Sequence, residues 1–218
     1  MSPELWGLVL QATGETVYMV AVSALLGTAI GLPIGVFLAT SGRGELLAAP
    51  VANRIVGLIV NSTRSIPFII LVVAILPFTR LVAGTSIGTT AAIVPLTVGA
   101  APFIARITET AIREVDRGLV EASLAMGATP AQIVRKVLLP EALPGLTLGL
   151  TLMVVSLISF SAMVGAVGGG GLGDLGIRYG FQRFMPEVMV TVVVVLILLV
   201  QAVQIAGDRL ARLADKRR

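Results

Sequence analysis

Between Glu141 and Asp174 the chain carries no acid and no base. The same is true from Glu15 to Arg43, from Arg64 to Arg80, from Arg80 to Arg106 and from Glu187 to Asp208. A membrane helix needs roughly 20 apolar residues to cross about 30 Å of hydrocarbon. The runs predict five such helices, at residues 17–40, 55–79, 87–105, 146–167 and 188–206. The second is short between its arginines and reaches full length only by extension back through residues 55–61. Composition agrees: 56% of the residues are hydrophobic and 13% charged, where soluble domains are nearer a quarter charged. The fold class is therefore an all-α integral membrane protein with five transmembrane helices.

Basic residues set the orientation. Arg209, Arg212, Lys216, Arg217 and Arg218 follow the fifth run. Arg106, Arg113, Arg117, Arg135 and Lys136 lie between the third and fourth, and Arg43 and Arg54 between the first and second. The other side holds Arg80, Arg178 and Arg183. The richer side is expected in the cytoplasm, which puts the N-terminus outside and the C-terminus inside. The acidic start, Met1-Ser2-Pro3-Glu4, lacks the positive n-region and cleavage site of a signal peptide, so the first run is expected to stay uncleaved. No internal repeat or low-complexity linker divides the chain, and it reads as one domain over 1–218.

Several chemistries are excluded by residue type. The chain has no cysteine and no histidine, so disulfides, thiolate chemistry and histidine-based triads are out. The +4 charge lies between apolar runs, which argues for membrane topology and not for nucleic acid. No G-x-x-x-x-G-K-[ST] occurs, and neither Lys136 nor Lys216 has that context. Gly171-Leu-Gly173-Asp-Leu-Gly176 matches G-x-G-x-x-G, but it follows a membrane run and opens no βαβ unit. It is expected to be a flexible outer loop.

The longest polar segment, from Arg106 to Glu141, has five acids and five bases and reads as a helical hairpin. Asp116 suits the N-cap of a first helix over 117–126 with apolar Leu119, Val120, Leu124 and Met126. Gly127 ends it, because glycine adopts a left-handed C-terminal conformation without a Cβ penalty. Thr129, Pro130 and Gln132 form the start of a second helix, with a capping box and proline at N1. Ile133, Val134, Val137 and Leu138 give it an apolar stripe, and Pro140 and Pro144 are expected to close it. Such a hairpin either lies on lipid headgroups or docks on a protein. Its charge balance favours docking.

The spacing within this hairpin carries a resemblance. Glu121-Ala122-Ser123, Gly127 and Val137-Leu138-Leu139-Pro140 resemble the EAA loop of bacterial ABC import permeases, with serine as the third residue and valine for isoleucine. Asn61-Ser-Thr-Arg-Ser-Ile-Pro-Phe-Ile-Ile, Gly84-Thr-Ser-Ile-Gly, the stretch from Ala91 to Arg106, Ala125-Met-Gly-Ala-Thr-Pro130 and Ser161-Ala-Met-Val-Gly-Ala-Val-Gly are similar to the methionine-importing branch of that family. The likeness runs from Thr16 to Asp208. It implies a type I importer permease in the bacterial inner membrane. Two copies would pair around a path, two cytoplasmic ATPase subunits would each receive one EAA helix in a groove, and an external binding protein would deliver methionine, with both enantiomers as candidates. ATP and magnesium would belong to the ATPase, and the permease would be no enzyme. Glu121 would make a polar contact with the ATPase, Ala122 and Ser123 would pack beside it, Gly127 would aim the helix, and Leu139 and Pro140 would complete the motif.

Other residues stay open between two roles. Gly27, Gly31 and Gly35 lie on one helical face, fit either for a dimer contact or for packing within the chain. Arg64 and Arg106 are either functional charges in a span or snorkelling anchors. Ser156, Ser159, Ser161 and Met163 could line a path, with Met163 as an adaptable gate, or simply fill and bond between helices. Rival functions are an importer of another amino acid or an osmoprotectant, an ion-coupled transporter, and a channel. An ion-coupled transporter commonly carries acids inside its spans, and here the acids fall outside the five runs.

Overall fold

The structure is a computed structural model in which residues 3–214 are described. Lys216, Arg217 and Arg218, used above for orientation, lie outside the described residues. Among the described residues all regular structure is helical. Helix α1 spans Pro3–Thr40, α2 Pro50–Arg64, α3 Phe68–Ala74, α4 Leu76–Ala83 and α5 Thr89–Arg113. A hairpin of α6, Arg117–Ala125, and α7, Pro130–Ile133, follows. A π-helical turn, Val134–Leu138, joins α7 to α8, Leu139–Ala166. Helix α9, Gly171–Leu175, runs into a second π-helical stretch, Gly176–Phe181, and α10 spans Pro186–Ala214. Four helices, counting α7 through α8 as one, are long and apolar enough to cross a membrane. A fifth crossing arises if α2 and α3 form one span, bent by 101°.

Four of the five expected crossings are single long helices and the second falls on the bent α2–α3 pair, and their limits and shapes differ from the charge-free runs. Helices do not stop where charge begins. Helix α1 starts at Pro3 and contains Glu4 and Glu15, and α5 runs past Arg106 to Arg113. At 1.5 Å per residue α1 is about 57 Å long, well beyond the roughly 30 Å of hydrocarbon. The second span is broken. Pro67 disfavours helical backbone at Ile66 and supplies no donor, so the chain turns there. Pro77 near the start of α4 goes with a further break at Ile75.

Pro140 and Pro144 do not close the second hairpin helix. It continues through both into the fourth span. In a regular helix the Pro140 ring would strike the carbonyl of Lys136. The π-turn just before it widens the ladder, with the Leu139 amide donating to the Val134 carbonyl, five residues back. One extra residue per turn thus lets the helix pass through a proline.

The core forms where α1 crosses α5. A Cβ on Gly31 would stand 2.5 Å from the Ala101 carbonyl oxygen, and one on Gly27 3.0 Å from the Ala100 methyl. The glycine stripe therefore seats α5 of the same chain. Met19, Leu96, Ala100, Ile104, Met153 and Leu157 fill the space between α1, α5 and α8. At one end Val9, Ala12, Leu172, Leu175, Val188 and Val192 form a second cluster. At the other, Ala39, Ala111, Ile112, Val115, Ile133, Leu138 and Ala142 join α1, α5, the hairpin and α8.

Candidate functional site

The hairpin is fixed at both turns by its own sequence. The Asp116 carboxylate accepts from the Gly118 amide at 2.7 Å, capping α6. Gly127 has φ +79°, its amide donates to the Leu124 carbonyl, and the Ala128 amide donates to the Ser123 carbonyl at 3.0 Å. That pair of bonds is the Schellman motif. The Thr129 amide donates to Gln132 Oε1 at 2.8 Å, and Thr129 Oγ1 accepts from the Gln132 amide. Both expected caps are therefore present, and they order an otherwise short element.

The hairpin has two faces. Inward, Val120, Ala128, Val134 and Val137 pack with Ile133 and Leu138 onto Ala111, Ile112 and Val115 of the α5 end and Ala142 of α8. Outward, Glu121, Ala122 and Gly127 are exposed, with Leu119 at 43%, Leu124 at 48% and Met126 at 81% exposure. Leu124 stands one turn from Glu121, and Leu119 and Met126 add exposed apolar surface elsewhere on this small helix, a composition suited to a protein groove. Ser123, which follows Ala122 in the motif, is buried, and its hydroxyl donates to the Leu119 carbonyl, so it packs in the seam under α6. Leu139 packs against the same inner cluster and Pro140 is exposed at the start of α8.

Glu109 is a buried acid that the charge-free runs missed. Its carboxylate is 4% exposed as a residue and is held by Arg106 and, at 2.8 Å, by Arg113. Arg106 also donates to Asn61 Oδ1 at 2.9 Å and to the Gly57 carbonyl. It does not snorkel; it clamps α2 to α5. The spacing of Arg106, Glu109 and Arg113 at i, i+3 and i+7 was the available signal. It is visible only once α5 is known to continue past Arg106. With two cations on it, Glu109 is part of the clamp at the end of α5.

Arg64 closes α2 at the bend, and its guanidinium carbon lies 4.8 Å from the centroid of the Phe103 ring. Phe68 stacks on Phe160 with centroids 4.3 Å apart. Ser159 and Met163, one turn apart on α8, are exposed on the chain's surface. Ser161 points the other way: it is buried, and its hydroxyl donates to the Ile158 carbonyl. Of the path candidates, Ser159 and Met163 share a face and Ser161 is a core residue. Ser156 donates back to the Leu152 carbonyl.

The G-x-G-x-x-G segment is no flexible loop. The Gly171 amide donates to Glu15 Oε2 at 2.8 Å and the Leu172 amide to Thr16 Oγ1 at 2.9 Å. The Gly88 amide donates to the Gly168 carbonyl, tying in the start of α5. Gly165 and Gly173 allow α8 and α9 to touch backbone to backbone: a Cβ on Gly173 would lie 2.5 Å from Ala162 Cα. The glycines serve close packing, and α1 supplies the caps for α9.

The sequence profile of the family described as "Binding-protein-dependent transport system inner membrane component" matches residues 31–218. The chain is 56% identical over 210 residues to a probable D-methionine transport system permease protein of Vibrio cholerae, covering 96% of this chain and 93% of that one. It is 56% identical over 163 residues to the D-methionine transport system permease protein of Escherichia coli K12, covering 75% of each. It is also similar to a chain of the MetNI methionine ABC transporter in an inward-facing conformation, with TM-score 0.97 and 54% identity over 99% of this chain and 100% of that one. A chain of an amino acid ABC transporter shares the fold at TM-score 0.79 and 18% identity. With its spans, its capped hairpin and these relatives in agreement, the chain belongs to the family of binding-protein-dependent transport system inner membrane components.

Proposed function

We propose that this chain is the permease subunit of an ATP-driven methionine importer. The observation that carries the reading is 54% identity, across 99% of the chain, to a subunit of a methionine ABC transporter. The hairpin supports it independently. Its outer face offers Glu121, Ala122, Leu124 and Met126 to a partner, while its inner face is welded to α5 and α8. A partner that closes on this hairpin moves both spans as a rigid body, and the Arg106 clamp carries α2 along with α5. ATP and magnesium belong to that partner, since the sequence has no phosphate-binding loop motif, and the permease contributes motion and not hydrolysis. The working assembly is two permease chains, two ATPase subunits and an external binding protein in the bacterial inner membrane. The N-terminus is outside and the C-terminus inside, in line with the charge count. The whole chain acts as one domain.

Reconstitution tests this directly. Proteoliposomes holding the full complex and binding protein should accumulate labelled methionine only with ATP. Uptake driven equally well by an imposed proton or sodium gradient without ATP would overturn ATP coupling. Stronger competition by another amino acid or by an osmoprotectant than by unlabelled methionine would reassign the cargo.

A further inference from the structure

Two arginines lie where α2 meets α5, and they are treated differently. Arg106 has Glu109, Asn61 and Gly57 as partners, so its charge and donors are engaged. Arg64, almost one turn of α5 away over Phe103, has no carboxylate and no side-chain hydrogen bond among the described residues, and its guanidinium lies over that ring. An arginine stacked on an aromatic ring keeps its edge donors free in a planar fork, the shape that binds a carboxylate through two parallel bonds. Phe103 lies three residues before Arg106, near the end of the charge-free run of α5, so Arg64 sits beside the inner part of that span. A cation beside a span with no acid partner is a functional candidate by default.

Beside it runs an aromatic strip. Phe68 packs against Gly99, one turn before Phe103, where an added Cβ would lie 3.0 Å from its ring. Phe68 stacks in turn on Phe160, which stands between exposed Ser159 and one turn of helix short of exposed Met163. Arg64 over Phe103 and the Phe68–Phe160 stack beside Gly99 therefore lie about one turn of α5 apart, bringing residues of α2, α3, α5 and α8 together. A carboxylate on one end and an apolar or thioether side chain on the other match that order of groups, because sulfur and alkyl groups both favour aromatic surfaces.

We propose that Arg64, with Phe103, Phe68 and Phe160, forms a transient subsite in the translocation path that holds the carboxylate of an α-amino acid while its apolar side chain lies on the rings. This rests on the reading of the chain as an amino-acid importer. A single exposed cation without a second polar clamp binds weakly enough to release its ligand, as a transport path requires.

The test uses the complete complex in proteoliposomes, with methionine uptake and ATP hydrolysis measured together. Arg64→Ala and Arg64→Gln should lower uptake about tenfold, the size of one lost charge-assisted contact, while ATP hydrolysis stays within about twofold. Arg64→Lys should take up more than Arg64→Gln, and added guanidinium should restore part of the Arg64→Ala uptake. Unchanged uptake in Arg64→Gln would overturn the proposal. So would joint loss of uptake, ATP hydrolysis and assembly in both neutral variants, which would make Arg64 a packing residue, and so would equal failure of Arg64→Lys and Arg64→Gln without guanidinium rescue. The unaltered complex tests the methionine reading separately: if it carries another solute, the variants are assayed with that solute, and a solute without a carboxylate ends the proposal.

Discussion

Two segments of this chain leave the pattern of long spans, and they reach order by opposite routes. The hairpin from Asp116 to Leu138 is capped by residues within it: Asp116, Gly127, Thr129 and Gln132. The segment from Gly168 to Phe181 is capped by Glu15 and Thr16, which are 156 residues away in sequence. The first carries its own caps even though its inner face packs on α5 and α8. The second is a plug whose shape exists only inside the bundle. Local capping suits an element that must move as a unit, and distant capping suits one that must stay where the spans hold it.

The largest effect is expected from glycines of the plug. Gly173→Ala drives a Cβ into the Ala162 backbone, and Gly171→Ala adds a left-handed backbone, φ +73°, to a clash with Met19 Cε at 2.6 Å. Each should destabilise the chain by about 1–3 kcal/mol or more. Thermal unfolding in detergent checks this, and an unchanged midpoint would mean that the plug can shift without cost. Next comes Gly127→Val, which places a β-branched residue at φ +79° with open space around it. The strain is about 1–3 kcal/mol, confined to the hairpin. Membrane insertion and span packing should survive while ATP-driven uptake falls at least about tenfold, since a 1.4 kcal/mol bias is already tenfold. Full uptake by this variant would remove the docking role of α6.

Smaller losses should separate the two capping modes. Thr16→Val keeps the volume but strips the acceptor from the Leu172 amide, and Glu15→Ala strips it from Gly171. Each should cost about 1–3 kcal/mol for a buried unsatisfied donor and open the plug to hydrogen exchange. Thr129→Ala is the mildest, with a loss of about 0.5–2 kcal/mol from the capping box. Exchange should rise in the hairpin amides alone. A matching rise in the plug would show that the two regions are not independent.

The same contrast explains what could be read ahead of the structure. Asp116, Gly127 and the Thr129–Gln132 box were legible because their partners lie two to five residues away. The plug was illegible because four successive glycines signal freedom in isolation and close approach only beside α1 and α8. Pro140 looked like a helix end because a proline normally is one, and the π-turn that absorbs it leaves no mark in composition. Ser123 is singled out by the motif, and Ser161 stays open in the sequence between a path and interhelical bonding. Burial, which depends on the neighbouring helices, put both inside.

The amino-acid sequence determined the apolar runs of the crossings, the bias of basic residues to one side, and the capped hairpin with Glu121 midway along its first helix. Those features follow from hydrophobicity over about 20 residues and from hydrogen bonds that close within one turn. The tertiary structure alone decided that the Gly27–Gly31–Gly35 stripe seats α5 of the same chain. It also decided that Arg106 is clamped while Arg64 rests on a ring, and that the plug is ordered. Each of these depends on groups tens to more than a hundred residues apart meeting at a few ångströms, and helical periodicity within one segment carries no information about such a meeting.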